Sequence, residues 1–289
     1  MINKGKIVKT VVRDCLYLNW AFPLKTLPAP PDPLRYEVHS VHREQFVFGS
    51  ALLFRNESLH FEGLPALKIS YPQFHLRLHV LDHDEVPAVW LRHILVPGWV
   101  LPGVRWFGQQ PAQAGLFRFP RPSVELDLDE WRWEVSRGRS LVVLARQASP
   151  RVGPGPTLGS WQQVVDCLRL RERAYVAGAT GIRVIQTSQR SVPLWPVKAS
   201  LEKLSLLRTS KALRGVTEWP ELHSSWICPE IPFTLDMGRE TAGAKMRRSA
   251  APIAPDPAMF GAPSSGSRKS AAQSRIRQSV AGPVLASWR

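Results

Sequence analysis

Residues 69–81 read Ile69-Ser70-Tyr71-Pro72-Gln73-Phe74-His75-Leu76-Arg77-Leu78-His79-Val80-Leu81. From Phe74 onward this stretch alternates strictly. Phe74, Leu76, Leu78 and Val80 fall on one side, and Gln73, His75, Arg77 and His79 on the other. A period of two identifies a β-strand with one apolar and one polar face. On an isolated sheet the polar face would be solvated. In a closed barrel either face can turn inward, and the polar face then lines a cavity.

The sequence on either side extends this β pattern. Asp82-His83-Asp84-Glu85 is a polar turn, and Val86–Leu91 returns as a strand that is apolar on both faces. Pro97-Gly98 and Pro102-Gly103 break the chain into turns before a strand-like run that ends at Phe119. Upstream, a mostly apolar segment spans Val11–Phe22, and the proline run from Pro28 to Pro33 enforces an extended connection. Leu34–Val41 and Gln45–Phe54 read as strands joined around His42-Arg43-Glu44, with another short strand over Leu59–Leu64.

Downstream, Glu125–Val135 and Ser140–Gln147 form a hairpin whose turn contains Gly138. Trp131 and Trp133 share a face of its first arm, and Val143 and Ala145 share a face of the second. Ser149–Gly159 is a Pro/Gly linker. It delivers a helix with Ser160 as N-cap and Gln163 completing a capping box. Trp161, Val164, Val165 and Leu168 make the apolar face of that helix, and Arg169, Arg171 and Arg173 follow at its C-terminal end. Arg183–Thr187, Leu194–Leu204 and Trp226–Leu235 read as further strands, with a short helix or loop over Ser205–Ala212. From Gly238 the composition shifts to Ala, Ser, Pro, Gly and Arg. A domain over 1–237 and a disordered basic tail over 238–289 are expected, because the tail has too little apolar surface to order itself.

The composition agrees with this β-rich reading. The 289 residues are 44% hydrophobic and include 11 Trp, 11 Phe and 26 Pro. Aromatic residues favour strands, and proline at this frequency favours many turns over long helices. Three cysteines, odd in number and far apart, exclude a disulfide framework and a Cys-x-x-Cys metal site. No apolar run is long enough to span a bilayer. The basic N-terminus is not followed by an apolar core with a cleavage site, so a reducing cytoplasm is the expected location. Net charge is +15, of which +7 falls in 239–289, and arginine outnumbers lysine 28 to 10. No nucleic-acid-binding motif accompanies the charge, so its pattern argues against nucleic acid as a partner.

The candidates for chemistry are few. His75, His79 and His83 are four apart, about 13 Å along a strand, which is too far to share one metal ion, so no metal site is expected. Gly-x-Ser-x-Gly, a P-loop and Gly-x-Gly-x-x-Gly are all absent, and no cofactor is implied. Glu125, Asp127, Asp129 and Glu130 read as the solvated edge of the hairpin. No pair stands out as general acid and base. Arg77, flanked by Gln73, His75 and His79, is suited to bind a carboxylate through its planar guanidinium. Glu230 is the expected partner of Arg77 when no ligand is bound.

Leu18-Asn19-Trp20, Ser70-Tyr71-Pro72-Gln73, Leu76-Arg77-Leu78-His79-Val80, Val86-Pro87-Ala88-Val89-Trp90 and Pro193-Leu194-Trp195-Pro196 together resemble a bacterial family of domains of unknown function. That family is placed in the acetoacetate-decarboxylase-like superfamily. The resemblance runs diffusely over residues 14–235 and includes no catalytic motif. It implies an α+β, β-rich fold: a large bent antiparallel sheet closing into a barrel-like cone, with an internal cavity and a few covering helices. The true decarboxylases form a Schiff base from a Pro-Lys-Lys pair, and the matching stretch here is Pro111-Ala112-Gln113, which lacks both lysines. Lys68 and Lys198 read as the strand-placed lysines, and neither has a second cation beside it.

The favoured reading is therefore a cavity protein that binds a small acidic or carbonyl compound at Gln73, His75, Arg77, His79 and Glu230, and whether it catalyses a reaction is not legible. The alternative is a non-catalytic interaction protein whose basic tail binds an acidic partner or nucleic acid. A third reading makes it a hydrolase or isomerase with His75 as base.

Overall fold

The computed structural model describes residues 7–106, 110–121, 130–169, 171–177, 181–189, 192–210, 213 and 215–237. The chain divides into two units, 1–247 and 248–289, and every described residue belongs to the first. The expected tail over 238–289 and most of the acidic cluster at 125–130 lie outside the described residues.

Fourteen strands make one sheet system. The first six are β1 (Ile7–Pro23), β2 (Arg35–Tyr36), β3 (Val38–Val41), β4 (Glu44–Phe61), β5 (Ile69–Leu81) and β6 (Pro87–Val96). Helix α1 (Leu101–Trp106) follows, then β7 (Gln113–Ala114), β8 (Leu116–Arg118), β9 (Trp131–Ser136) and β10 (Ser140–Gln147). Helix α2 (Trp161–Arg169) leads to β11 (Arg173–Ala177), β12 (Ile182–Gln189) and β13 (Trp195–Lys203). Helix α3 (Ser205–Arg208) precedes the last strand, β14 (Leu222–Asp236).

Seven strands close a ring in the order β1-β4-β5-β6-β11-β12-β14, with β14 pairing back onto β1. All of these pairings are antiparallel except β6–β11, which is parallel; β7 also runs parallel to β6. The sheet is thus largely antiparallel, as the resemblance implies, with parallel pairings on β6 that make it mixed. The ring has a branch. The C-terminal part of β14 pairs with β12, whereas Trp226 and Ile227 near its start pair with β13. β13 then continues into β10, β9 and β8, which form a second layer.

The alternation in β5 determines how the layers meet. Phe74, Leu76, Leu78 and Val80 are fully buried against Trp131, Trp133 and Val135 of β9 and Leu141, Val143 and Ala145 of β10. The hairpin faces are as its sequence predicts, with Trp133 opposite Val143 and Trp131 opposite Ala145. Truncating a buried aromatic such as Trp20 or Trp133 to Ala costs on the order of 3–5 kcal/mol. Gly49 on β4 leaves room for this packing. A Cβ there would meet Phe22 at 2.7 Å and Leu78 at 3.0 Å.

Bulges shape the ring, and two of them hold a non-glycine residue in the left-handed region. The sequence divides 45–64 into two strands, but β4 runs unbroken from Glu44 to Phe61, with a register shift between Asn56 and Leu59 where Ser58 adopts φ 52°. In β1, Asp14 adopts φ 49° beside a shift between Arg13 and Leu16. A residue inserted in the left-handed region reverses the side-chain parity beyond it and bends the strand. The same long strands thereby keep an inward face around a closed curve. Helix α2 has the predicted capping box: Ser160 Oγ accepts from Gln163 N (3.3 Å), and Ser160 N donates to Gln163 Oε1 (2.8 Å). Among the described residues, no helix is long and apolar enough to cross a membrane.

Candidate functional site

The inward face of the ring encloses a cavity of about 380 Å³. Strand alternation brings Tyr71, Gln73, His75 and Arg77 of β5 to its wall. The reversal at Asp14 brings Val12 and, beyond it, Cys15 and Tyr17 of β1. Most of the remaining lining is apolar: Leu52 and Phe54 from β4, Leu91 from β6, and Ile231 and Phe233 from β14.

Arg77 is 7% exposed. Its Nη2 donates to the carbonyl of Leu168 at 2.7 Å, and its guanidinium carbon lies 5.4 Å from the centre of the Tyr17 ring. Tyr17 stacks on Trp226 (5.3 Å, 22°), and Trp161 of α2 meets Trp226 edge-on (5.7 Å, 89°). An aromatic column thus connects the covering helix to the arginine. Arg77 Nε is buried without a hydrogen-bond partner, and no carboxylate among the described residues pairs with this side chain. Burial lowers its pKa, because the charged form loses its hydration.

A chain of hydrogen bonds orients His75. Thr10 Oγ1 donates to Asn56 Oδ1 (3.4 Å), and Asn56 Nδ2 donates to Gln73 Oε1 (2.6 Å). The other end of that amide, Gln73 Nε2, then donates to His75 Nε2 at 2.6 Å. The imidazole accepts at Nε2, so its proton resides on Nδ1. Burial, with a smaller contribution from the nearby Arg77 charge, brings its pKa down to about 3, so the ring is neutral. The cavity wall therefore carries a neutral imidazole and, two residues on along the same strand face, a guanidinium.

His79 belongs to a different cluster. Its Nδ1 is 3.2 Å from Arg171 Nη2, and its Nε2 is 3.4 Å from Ser50 Oγ, which donates to Asn19 Oδ1 (2.7 Å). Arg171 is neutralised by Glu37 at 2.8 Å. This buried network joins β1, β4 and β5 to the segment after α2, and His79 is not part of the cavity lining. Glu230 does not meet Arg77. Its carboxylate accepts from Arg13 Nη1 at 2.6 Å on the half-exposed outer side, because Ile231 and Phe233 occupy the inward positions of β14. Gln73, His75 and Arg77 are thus brought together, whereas His79 and Glu230 lie elsewhere.

The sequence places none of Tyr17, Cys15, Thr10 and Asn56 at a site, and Arg171 reads from it only as a cation at the end of a helix. Asn56 carries a signal, as an amide two residues beyond the apolar run from Ala51 to Phe54. No lysine lines the cavity among the described residues. Lys198 is exposed on β13, and Lys68 is an exposed loop residue just ahead of β5 rather than a strand residue. Ala112 and Gln113 lie beside β6, where Gln113 Oε1 accepts from His93 Nε2 (3.3 Å). Two groups of potential metal donors occur among the described residues, Glu37/His39/Cys167 and Asp82/His83/Asp84. Each already contains a guanidinium: Arg171 reaches Glu37 and Cys167 Sγ (3.3 Å), and Arg173 reaches Asp82 and Asp84 (3.3 Å).

No family model and no curated protein sequence matches the chain. Solved structures do. The enduracididine biosynthesis enzyme MppR, complexed with the condensation product of pyruvate and imidazole 4-carboxaldehyde, superposes with a TM-score of 0.56 at 14% identity, over 82% of this chain and 90% of that one. MppR complexed with pyruvate gives 0.54 at 14% identity, over 83% and 91%. An acetoacetate decarboxylase-like enzyme from Sphingomonas wittichii RW1 gives 0.50 at 14% identity, over 80% and 90%. The chain has the acetoacetate-decarboxylase-like fold, as the resemblance in its sequence implies.

Proposed function

We propose that this protein binds a small carboxylic acid, with or without a neighbouring carbonyl, non-covalently inside the seven-strand ring. One observation carries the reading: Arg77 is a buried guanidinium in a largely apolar cavity, with no carboxylate among the described residues to neutralise it. A charge so placed costs several kcal/mol unless it is compensated. The Leu168 carbonyl and the Tyr17 ring supply only partial negative charge. A bound carboxylate supplies the remainder through a charge-assisted hydrogen bond, and the Nδ1–H of neutral His75 adds a second donor.

The similarity to MppR, whose structures hold pyruvate and a pyruvate-derived product, supports an acid bearing a carbonyl. With no lysine lining the cavity among the described residues, the ligand is held by hydrogen bonds and apolar contact rather than as a Schiff base. The cysteines are free, which suits a reducing compartment such as the cytoplasm.

Isothermal titration with a panel that includes pyruvate, acetoacetate and butyrate tests the reading. Saturable binding to the parent, weakened at least tenfold in Arg77→Met, is the expected result. Equal binding by parent and variant, or binding of no carboxylic acid of any chain length by either, would overturn it.

A further inference from the structure

The cavity has two unlike ends. Near α2 lie the polar groups: Arg77 against Leu168, with Arg171 and Gln189 close by, the latter donating to Arg169 O (3.3 Å). Toward α1 the lining is mostly apolar, with Val8, Leu59, Phe61, Tyr71 and Val104 beside the single amide of Gln110. The α1 end is also where the wall becomes exposed. Ile69 and Trp99 line the cavity yet are 39% and 66% accessible, and Trp99 meets Tyr71 edge-on at 6.5 Å. Leu64 and Leu67, in the loop that enters β5, add 54% and 69% exposed apolar side chains to that part of the surface. Large apolar groups exposed together mark a binding surface more often than chance.

The cavity is elongated as well. On β5 alone its lining extends from Ile69 to Arg77, about 26 Å of strand at about 3.3 Å per residue. A two- or three-carbon acid held at Arg77 would leave the apolar half unfilled. We infer that the ligand is an amphiphilic monocarboxylate: its head sits at Arg77 and His75, and an unbranched or aromatic apolar body of several carbons runs toward Ile69 and Trp99. This rests on the anion-binding reading above and names the class of ligand.

The test is a homologous series of acetate, butyrate, hexanoate, octanoate and decanoate, all below their micelle-forming concentrations. Each is titrated into the parent, Arg77→Met and Trp99→Phe. In the parent, affinity should rise about fourfold per methylene, the equivalent of about 0.8 kcal/mol, until the cavity is filled. A fluorescence change absent from Trp99→Phe should appear only with the longer acids, and Arg77→Met should weaken every member that binds. If butyrate binds as tightly as decanoate, the amphiphile assignment falls while the anion site stands. If no member of the series and no keto acid binds, both fall. Binding of long acids that is unchanged in Arg77→Met would mean apolar adsorption, which also overturns the inference.

Discussion

Arg77 Nη2 donates to the carbonyl of Leu168 at 2.7 Å, so one arginine both lines the cavity and ties down the helix that covers it. Leu168 is the penultimate residue of α2, where carbonyls lack intrahelical partners and the helix dipole is negative. A structural arginine would need no more than this. The unpartnered Nε and the absence of a paired carboxylate among the described residues go beyond it. In Arg77→Met the lost bond costs about 1.5–3 kcal/mol. Removing a desolvated charge offsets part of that. Urea denaturation should therefore show a change within about 2 kcal/mol and a folded variant. A loss well above that would make the arginine chiefly a fold determinant.

His75 and His79 set an acid limit on stability. Burial brings both imidazoles down to about 3 in the folded chain, against about 6.5 in the unfolded one. Between those values the unfolded state binds the extra protons, so the stability they contribute is fully present above pH 6.5 and declines as pH falls toward 3. Each histidine should add a slope of about 1.4 kcal/mol per pH unit within that window. Urea titrations at several pH values should show a shallower slope in His75→Gln. An unchanged slope would mean that His75 is solvated and titrates normally.

Schiff-base chemistry is a sharp negative expectation. Lys68 and Lys198 are exposed, and no lysine lines the cavity among the described residues. Borohydride treatment in the presence of acetoacetate or pyruvate should leave the intact mass unchanged. A stable adduct mapped to either lysine would make the protein a covalent carbonyl enzyme after all.

The cysteines report on the closure of the ring. Cys15 and Cys228 face each other across β1 and β14 and are 1% and 0% exposed. Burial raises both thiols, Cys228 to about 12, so neither is a reactive thiolate near neutrality. Cys167, near the end of α2, is only partly covered. A thiol reagent under native conditions should modify at most one site, Cys167, and reach the other two only on unfolding. Rapid labelling of Cys228, which does not line the cavity, would mean that the ring opens between β1 and β14; labelling of Cys15 alone would mean that the reagent enters through the cavity.

The period-two pattern of β5 was the most legible feature of the sequence, because alternation survives whichever way a sheet curves. It separates the Leu76/Leu78 face from the Gln73/His75/Arg77 face correctly. The amphipathic pattern and capping box of α2 were equally plain. What stayed hidden depends on closure. The reversals at Asp14 and Ser58 leave no propensity signal, since neither residue is a glycine, so periodicity alone does not mark β1 as one strand and splits β4 in two. The pairing of Arg77 with Glu230 failed for a related reason. Parity along β14 can be counted only once the paired strand is known, and Glu230 falls on the outer side beside Arg13. His79 has the right parity for the cavity, but Arg171, just beyond α2, and Glu37, between β2 and β3, lie against it.

The central claim is that Arg77 anchors an anionic ligand inside the ring, and a crystal structure of the protein grown with a saturating monocarboxylate tests it most directly. The account predicts ligand density within the ring, with the carboxylate at hydrogen-bonding distance of the Arg77 guanidinium and the rest of the molecule directed toward Trp99. An empty ring at saturating ligand, or a carboxylate bound elsewhere while Arg77 keeps only its bond to Leu168, would contradict it.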